Sequence, residues 1–187
     1  MTSKCDLPED TSRRVILGLC LLQRTHLIAH STLILLEKDV PTAVWSLARP
    51  LLEGFVRAIW ILECAKEQAV DEVYEEERKF PKLSDAIKSI SQSGSDHARW
   101  LDLANEKLPV LNDFVHGGIQ TCIRQFDGTN IRPDYPVCHQ LDFLDSFVKP
   151  ILLNSGLELL DRLGFGESKN MLMSFVAVLD QDVDFPR

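Results

Sequence analysis

The chain has no surplus of positive charge, and this absence removes a first class of function. Lys and Arg number 20 against 28 Asp and Glu, a formal net charge of −8. A protein that coats nucleic acid or lies on an anionic membrane meets phosphates with excess basic residues, so neither is expected as a general mode, while a local basic groove stays open. Cysteine is sparse. Cys5, Cys20, Cys64, Cys122 and Cys138 are odd in number and contain no CxxC pair, which supports neither a disulfide framework nor a zinc knuckle and fits a reducing cytoplasm. Long unbroken apolar runs are also missing. Gln23, Arg24, His26 and His30 interrupt 15–36, and Arg49, Glu53 and Arg57 interrupt 40–62. Neither reaches the roughly 18 clean apolar residues of a spanning helix, so no membrane association is expected. Residues 1–10 lack the basic start and apolar run of a secretory signal and read as a flexible N-terminus. The absence of GxGxxG, GxxxxGK and GxSxG removes the Rossmann, P-loop and common serine-hydrolase readings.

What is present is helical periodicity. A chain of 187 residues, 45% of them hydrophobic, matches one domain at about 150 residues per domain and buries roughly 70% of its unfolded surface. Val15, Leu19, Leu22, His26, Ala29, Leu33 and Leu36 recur at helical steps, predicting a long first helix. After Val40-Pro41 a second helix is predicted from Thr42, with Val44, Ala48, Leu51, Phe55, Ala58 and Leu62 on one face and Trp45, Leu52, Val56 and Ile59 widening it. So little polar face marks a central helix, and Pro50 inside it predicts a kink. The acidic run Asp71, Glu72, Glu75, Glu76 and Glu77 reads as a solvated helix end. Pro81 opens a short third helix that stops at Ser93-Gly94, and Asp96 is a candidate cap for the next. A helix is predicted over 97–126, bent at Pro109, with Leu108, Leu111, Val115, Ile119, Cys122 and Phe126 as its apolar stripe. An irregular connection over 130–140 and helices over 141–163 and 167–179 follow. The expected fold is all-α, an up-and-down bundle of five to seven helices forming a single domain over 1–187.

Two polar constellations stand out. Arg49, Glu53 and Arg57 fall at successive i,i+4 steps on the apolar second helix. On an exposed strip this is an intrahelical ladder; on a central helix it holds partly buried charges that must pair or face a site. The second constellation is Asn112, His116, Gln120 and Arg124, again at four-residue steps. His116 can serve as general acid or base with Asn112 orienting its ring one turn away, and the Gly117-Gly118 pair suggests close approach of a backbone or ligand. Cys20 and Cys64 read as core fillers, and His97 and His139 carry no partner pattern. A metal set is conceivable from His26 and His30 with Glu53 and His116.

The pattern Asn112-Asp113-Phe114-Val115-His116 in a helical bundle resembles the HEPN superfamily, whose motif is an arginine, a polar residue often Asn, Asp or His, a short spacer and a histidine. Asn112 and His116 match; Leu111 stands where the family has its arginine. The resemblance implies a homodimer that pairs His116 with its symmetry mate. It also implies metal-independent endoribonuclease chemistry, or RNA or nucleotide binding, in a bacterial toxin or phage-defence system with a cognate protein partner and no cofactor. In that reading Arg49, held by Glu53, replaces the missing arginine, His116 moves a proton, and Arg57, Gln120 and Arg124 bind substrate. Competing expectations are a noncatalytic dimerisation or partner-binding module and a metal-binding bundle.

Overall fold

The computed structural model describes residues 7–181, with side chains to residue 174; Cys5 and most of the expected flexible N-terminus lie outside that range. Helix α1 spans Arg13–Glu37 and starts where the Ser12 hydroxyl accepts the Val15 N–H. Helix α2 runs over Pro41–Ile59 with Pro50 inside it and passes into a π-helical turn, Trp60–Cys64, closed by Ala65 N–H on the Trp60 carbonyl at 2.9 Å. Then come α3 (Glu67–Tyr74), α4 (Leu83–Ser93), α5 (Ala98–Glu106), α6 (Leu108–His116) and α7 (Ile119–Ile123). After an irregular segment, α8 (Val137–Phe143) leads through a second π turn, Leu144–Val148, to α9 (Lys149–Arg162) and α10 (Gly166–Gln181). The class is all-α, a helical bundle. Among the described residues the only β pairing is an isolated bridge between Phe126 and Ile131.

The core is built on α2. Val44, Ala48, Leu51, Leu52, Phe55, Val56, Ala58 and Ile59 are all fully buried, because α1, α4, α6 and α9 surround this helix. A helix apolar on nearly every side has nowhere else to sit. α1 lies along α2 and α9. Its buried face is rotated from the expected stripe: Leu19, Leu22 and Ala29 are buried as predicted, but Thr25 and Thr32 are buried with them while His26, Leu33 and Leu36 are only half-buried. The threonines tolerate this because each hydroxyl donates to a carbonyl one turn back, Leu21 at 2.8 Å and Ile28 at 2.9 Å. Small residues let the two helices approach. A methyl group on Gly18 would run into the Leu62 side chain, and one on Gly54 would stand 2.5 Å from Thr25 Oγ1. α1 also has the length and composition of a membrane-crossing helix, with a mean hydropathy of 1.3 over its most apolar stretch, although the clean-run criterion had set it aside.

The acidic run is exposed, as expected, apart from the half-buried Glu72, and it also ties α3 to the start of α1: Arg13 pairs with Asp71 at 3.1 Å and with Glu75 at 2.7 Å. Arg14 reaches over to the Ala65 carbonyl and the Glu67 carboxylate, both at 2.6 Å, and to the Ile61 carbonyl, holding the π turn in place.

The predicted helix over 97–126 is three helices. Pro109 sits in the first turn of α6, and Gly117, at φ +68°, ends α6 in the left-handed conformation. The expected apolar stripe fails beyond Leu111: Val115, still within α6, is exposed because the buried face of that helix runs through Leu111 and Phe114, and past the Gly117 turn Ile119 and Phe126 are exposed and α7 buries nothing. Phe114 is buried in their place, stacked on Trp45 at 5.0 Å. Asp96 does not cap α5, whose N-cap position is His97 without a side-chain bond.

Candidate functional site

Because neighbouring helices cover the apolar faces of α2, its remaining polar strip opens into a cleft of about 390 Å³. Arg49, Glu53 and Arg57 form one wall, Phe80, Pro81, Lys82, Leu83 and Ser84 the second, and Leu108 and Asn112 of α6 the third. Glu53 accepts a hydrogen bond from Arg57 Nη2 and lies 3.9 Å from Arg49 Nε, so one carboxylate anchors two guanidinium groups. All three side chains are between a quarter and a third exposed. The Arg57 guanidinium also lies 4.8 Å over the Phe80 ring, which restricts it further.

The opposite wall is the beginning of α4. Lys82 occupies its N-cap position with no side-chain cap, and the N–H groups of Leu83 and Ser84, at the helix start, have no intrahelical acceptor. The positive end of the helix dipole, Lys82, Arg49 and Arg57 thus face one volume with only Glu53 opposing them. Asn112 completes the wall; its Oδ1 is buried without a hydrogen-bond partner. Such a surface is suited to an anion with several oxygens, since guanidinium forks, an ammonium and helix N–H groups all donate.

Four of the expected site residues, Arg49, Glu53, Arg57 and Asn112, therefore share a cleft. The other three do not line it. His116 is exposed at the end of α6, Gln120 lies on α7, and Arg124 caps the end of α7. The four-residue ladder from Asn112 to Arg124 needed one continuous helix, and Gly117 breaks it. The glycine pair has a local explanation. Gly117 supplies the left-handed cap, and a methyl group on Gly118 would collide with the Asp113 carboxylate, which accepts the Gln120 N–H at 3.4 Å. No ligand is needed to account for either glycine.

The conceivable metal set does not assemble. Glu53 faces the cleft, His116 is exposed, and His26 is half-buried, where desolvation and then the nearby His30 hold its pKa below the ordinary value. Cys20 is exposed rather than a core filler; Cys64 is half-buried, and burial pushes its thiol pKa up.

Sequence reasoning missed Lys82 and Ser84, although Pro81 had marked the helix start beside them; what it lacked was the packing of α4 against α2. It also missed His97, whose Nε2 lies 3.4 Å from Glu158 Oε1, 61 residues away, with its ring edge-on to Phe55 at 5.3 Å. Hydrogen bonding to His97 holds the Glu158 carboxyl below the usual carboxylate range, against the opposing effect of burial. No local signal could have paired residues so far apart. A second cleft, of about 530 Å³, lies between the start of α2 and residues 132–140, floored by the buried Tyr135.

The chain belongs to a family of unknown function, DUF6988, whose profile matches residues 22–146, more than half of its length. The matched span contains the whole Arg49–Asn112 cleft. No curated protein and no solved structure matches the chain.

Proposed function

From membership of a family whose function is unknown, we propose that this protein binds the phosphate groups of RNA or of a nucleotide in the Arg49–Glu53–Arg57–Lys82 cleft, as a HEPN-like helical domain would. One observation carries the reading: three cationic side chains and an uncapped helix start converge on one small volume of an otherwise acidic protein. A net charge of −8 repels polyanions at long range, so a phosphate must be met locally, and this cleft has the donors for it. Binding rather than cleavage is the reading favoured, because His116, the group that would move a proton, is not among the lining residues.

The test is fluorescence anisotropy with labelled single-stranded RNA, beside calorimetric titration with an adenine nucleotide, at about 50 and about 200 mM salt. Arg49→Ala and Arg57→Ala should each weaken binding about tenfold, matching the roughly 1.5 kcal/mol of a charged hydrogen bond, and should lower the salt slope by about one. Arg124→Ala, outside the cleft, should leave affinity unchanged. Comparing the two titrations tells RNA from free nucleotide. Neither ligand binding, or binding indifferent to both arginine variants, refutes the proposal and favours a protein-interaction module. The same RNA incubated in EDTA with wild type and His116→Ala reports on cleavage; loss of cleavage in the variant would restore a catalytic role to His116.

A further inference from the structure

We propose that Glu63, His97 and Glu158 form a binding site for a divalent first-row transition cation of the zinc class, separate from the phosphate cleft. The three come from different parts of the fold: Glu63 from the π turn that ends α2, His97 from the N-cap position of α5, and Glu158 from α9. One ligand atom from each lies within 4.8 Å of the others. A tetrahedral zinc ion holds nitrogen and oxygen ligands at about 2.0–2.2 Å, so its donors stand about 3.3–3.6 Å apart. His97 Nε2 and Glu158 Oε1, 3.4 Å apart, already have that spacing, and the exposed Glu63 side chain closes the set by moving up to about 1.4 Å from the 4.8 Å limit.

Three further observations separate this cluster from a surface coincidence. The His97 and Glu158 side chains are only 12% and 19% exposed, so the imidazole and one carboxylate are already withdrawn from water. Glu158 Oε2 is buried without a hydrogen bond, held only by the Arg162 guanidinium, whose Nε lies 3.5 Å away. The fold also fixes the donors. Phe55 packs at a right angle to the His97 ring, and Arg14, bonded to the Ile61 and Ala65 carbonyls, braces the turn that carries Glu63.

Charge points the same way. Two carboxylates outnumber the one guanidinium paired with them, that of Arg162, so the cluster is net negative and attracts a cation, which an imidazole binds in its neutral form. Nearby Arg162 moderates the affinity without occupying the ligand positions. One nitrogen and two carboxylates form a borderline donor set that ranks zinc above manganese and both well above magnesium. Three protein ligands leave a coordination position for water, and the ion would tie the end of α2 to α5 and α9.

The test uses the full chain, stripped with EDTA and dialysed free of chelator, titrated calorimetrically with ZnCl2 and, in parallel, with MgCl2. One zinc per chain is expected, with magnesium much weaker. Glu63→Gln and Glu158→Gln should each weaken zinc binding at least about tenfold. Glu63 is exposed, so its variant keeps the fold, which circular dichroism verifies. Arg49→Ala should bind zinc as wild type does, so this result is distinguishable from failure of the phosphate reading. Absorption of the Co2+-loaded protein supplies a second readout: visible d–d bands of a nitrogen and oxygen site, lost in His97→Ala. No stoichiometric zinc, unchanged affinity in both glutamine variants, or a thiolate-to-cobalt charge-transfer band placing the metal on cysteine would each overturn the proposal.

Discussion

Replacing Gly54 with alanine tests the close approach of α1 and α2 that turns the Arg49–Glu53–Arg57 strip toward the cleft. The new methyl would stand 2.5 Å from Thr25 Oγ1, well inside contact distance. Thr25 is fully buried and its hydroxyl donates to the Leu21 carbonyl at 2.8 Å, so it cannot retreat without losing that bond. Overpacking a close-packed core costs about 1–3 kcal/mol, and the forfeited hydrogen bond about 1 kcal/mol. The better helix propensity of alanine returns about 1 kcal/mol. The expected net loss is therefore about 2 kcal/mol, which lowers Tm by roughly 4–8 °C in a protein of this size. Urea denaturation of wild type, Gly54→Ala, Thr25→Ala and the double variant closes a double-mutant cycle. In the Thr25→Ala background the clash partner is gone, so Gly54→Ala should be neutral or stabilising, a coupling of about 2 kcal/mol in the range measured for residues in contact. If Gly54→Ala is as stable as wild type, or costs the same in both backgrounds, the two helices do not pack as described.

Three other outcomes are expected. Because the folded-state pKa of His26 is lowered by burial, the unfolded chain binds more protons in the interval below 6.5; stability is full above that value and falls as pH drops toward the lowered one. Unfolding free energies at several pH values between about 7.5 and about 5 should fall more steeply for wild type than for His26→Gln, and parallel curves would contradict this. Gly117→Ala should cost about 1 kcal/mol in urea denaturation, since its φ of +68° is unfavourable for a residue with a Cβ and there is open space around it; Gly117→Asn should lose less. Glu53→Gln removes the only negative charge in the cleft and should tighten RNA or nucleotide binding about fivefold at low salt, from about 1 kcal/mol of lost repulsion at 4 Å in water. The difference should shrink as salt rises, and equal affinities at low salt would mean that Glu53 does not face the ligand.

Individual residues show where local pattern was sufficient. The apolar positions of α2 recur so densely that only a central helix could bury them, and every residue on its expected principal face, from Val44 to Leu62, is buried. Pro81, Gly94 and Gly164 marked helix limits through backbone restrictions that act within a few residues, and those limits hold. The stripe running from Leu108 to Phe126 misled for the opposite reason. Its periodicity is genuine, but one left-handed glycine, Gly117, redirects the chain, and periodicity says nothing of direction once a helix has ended. Thr25 and Thr32 are not among the residues of the expected stripe of α1, yet both are buried, because a hydroxyl that bonds its own helix is buried at little cost, something a count of apolar residues does not reveal.

The candidate site divides along the same line. The sequence by itself determined an all-α bundle with a central second helix and an Arg49–Glu53–Arg57 ladder on its one polar strip, because helical spacing and burial depend on neighbours three or four residues away. Only the tertiary structure decided that Asn112 and the start of α4 meet that ladder, that His116 does not line the cleft, and that His97 and Glu158 lie side by side with Glu63. Those meetings depend on how helices distant in sequence pack, through the Gly18 and Gly54 approach, the Arg14 brace and the Gly117 turn, and no local pattern encodes the result.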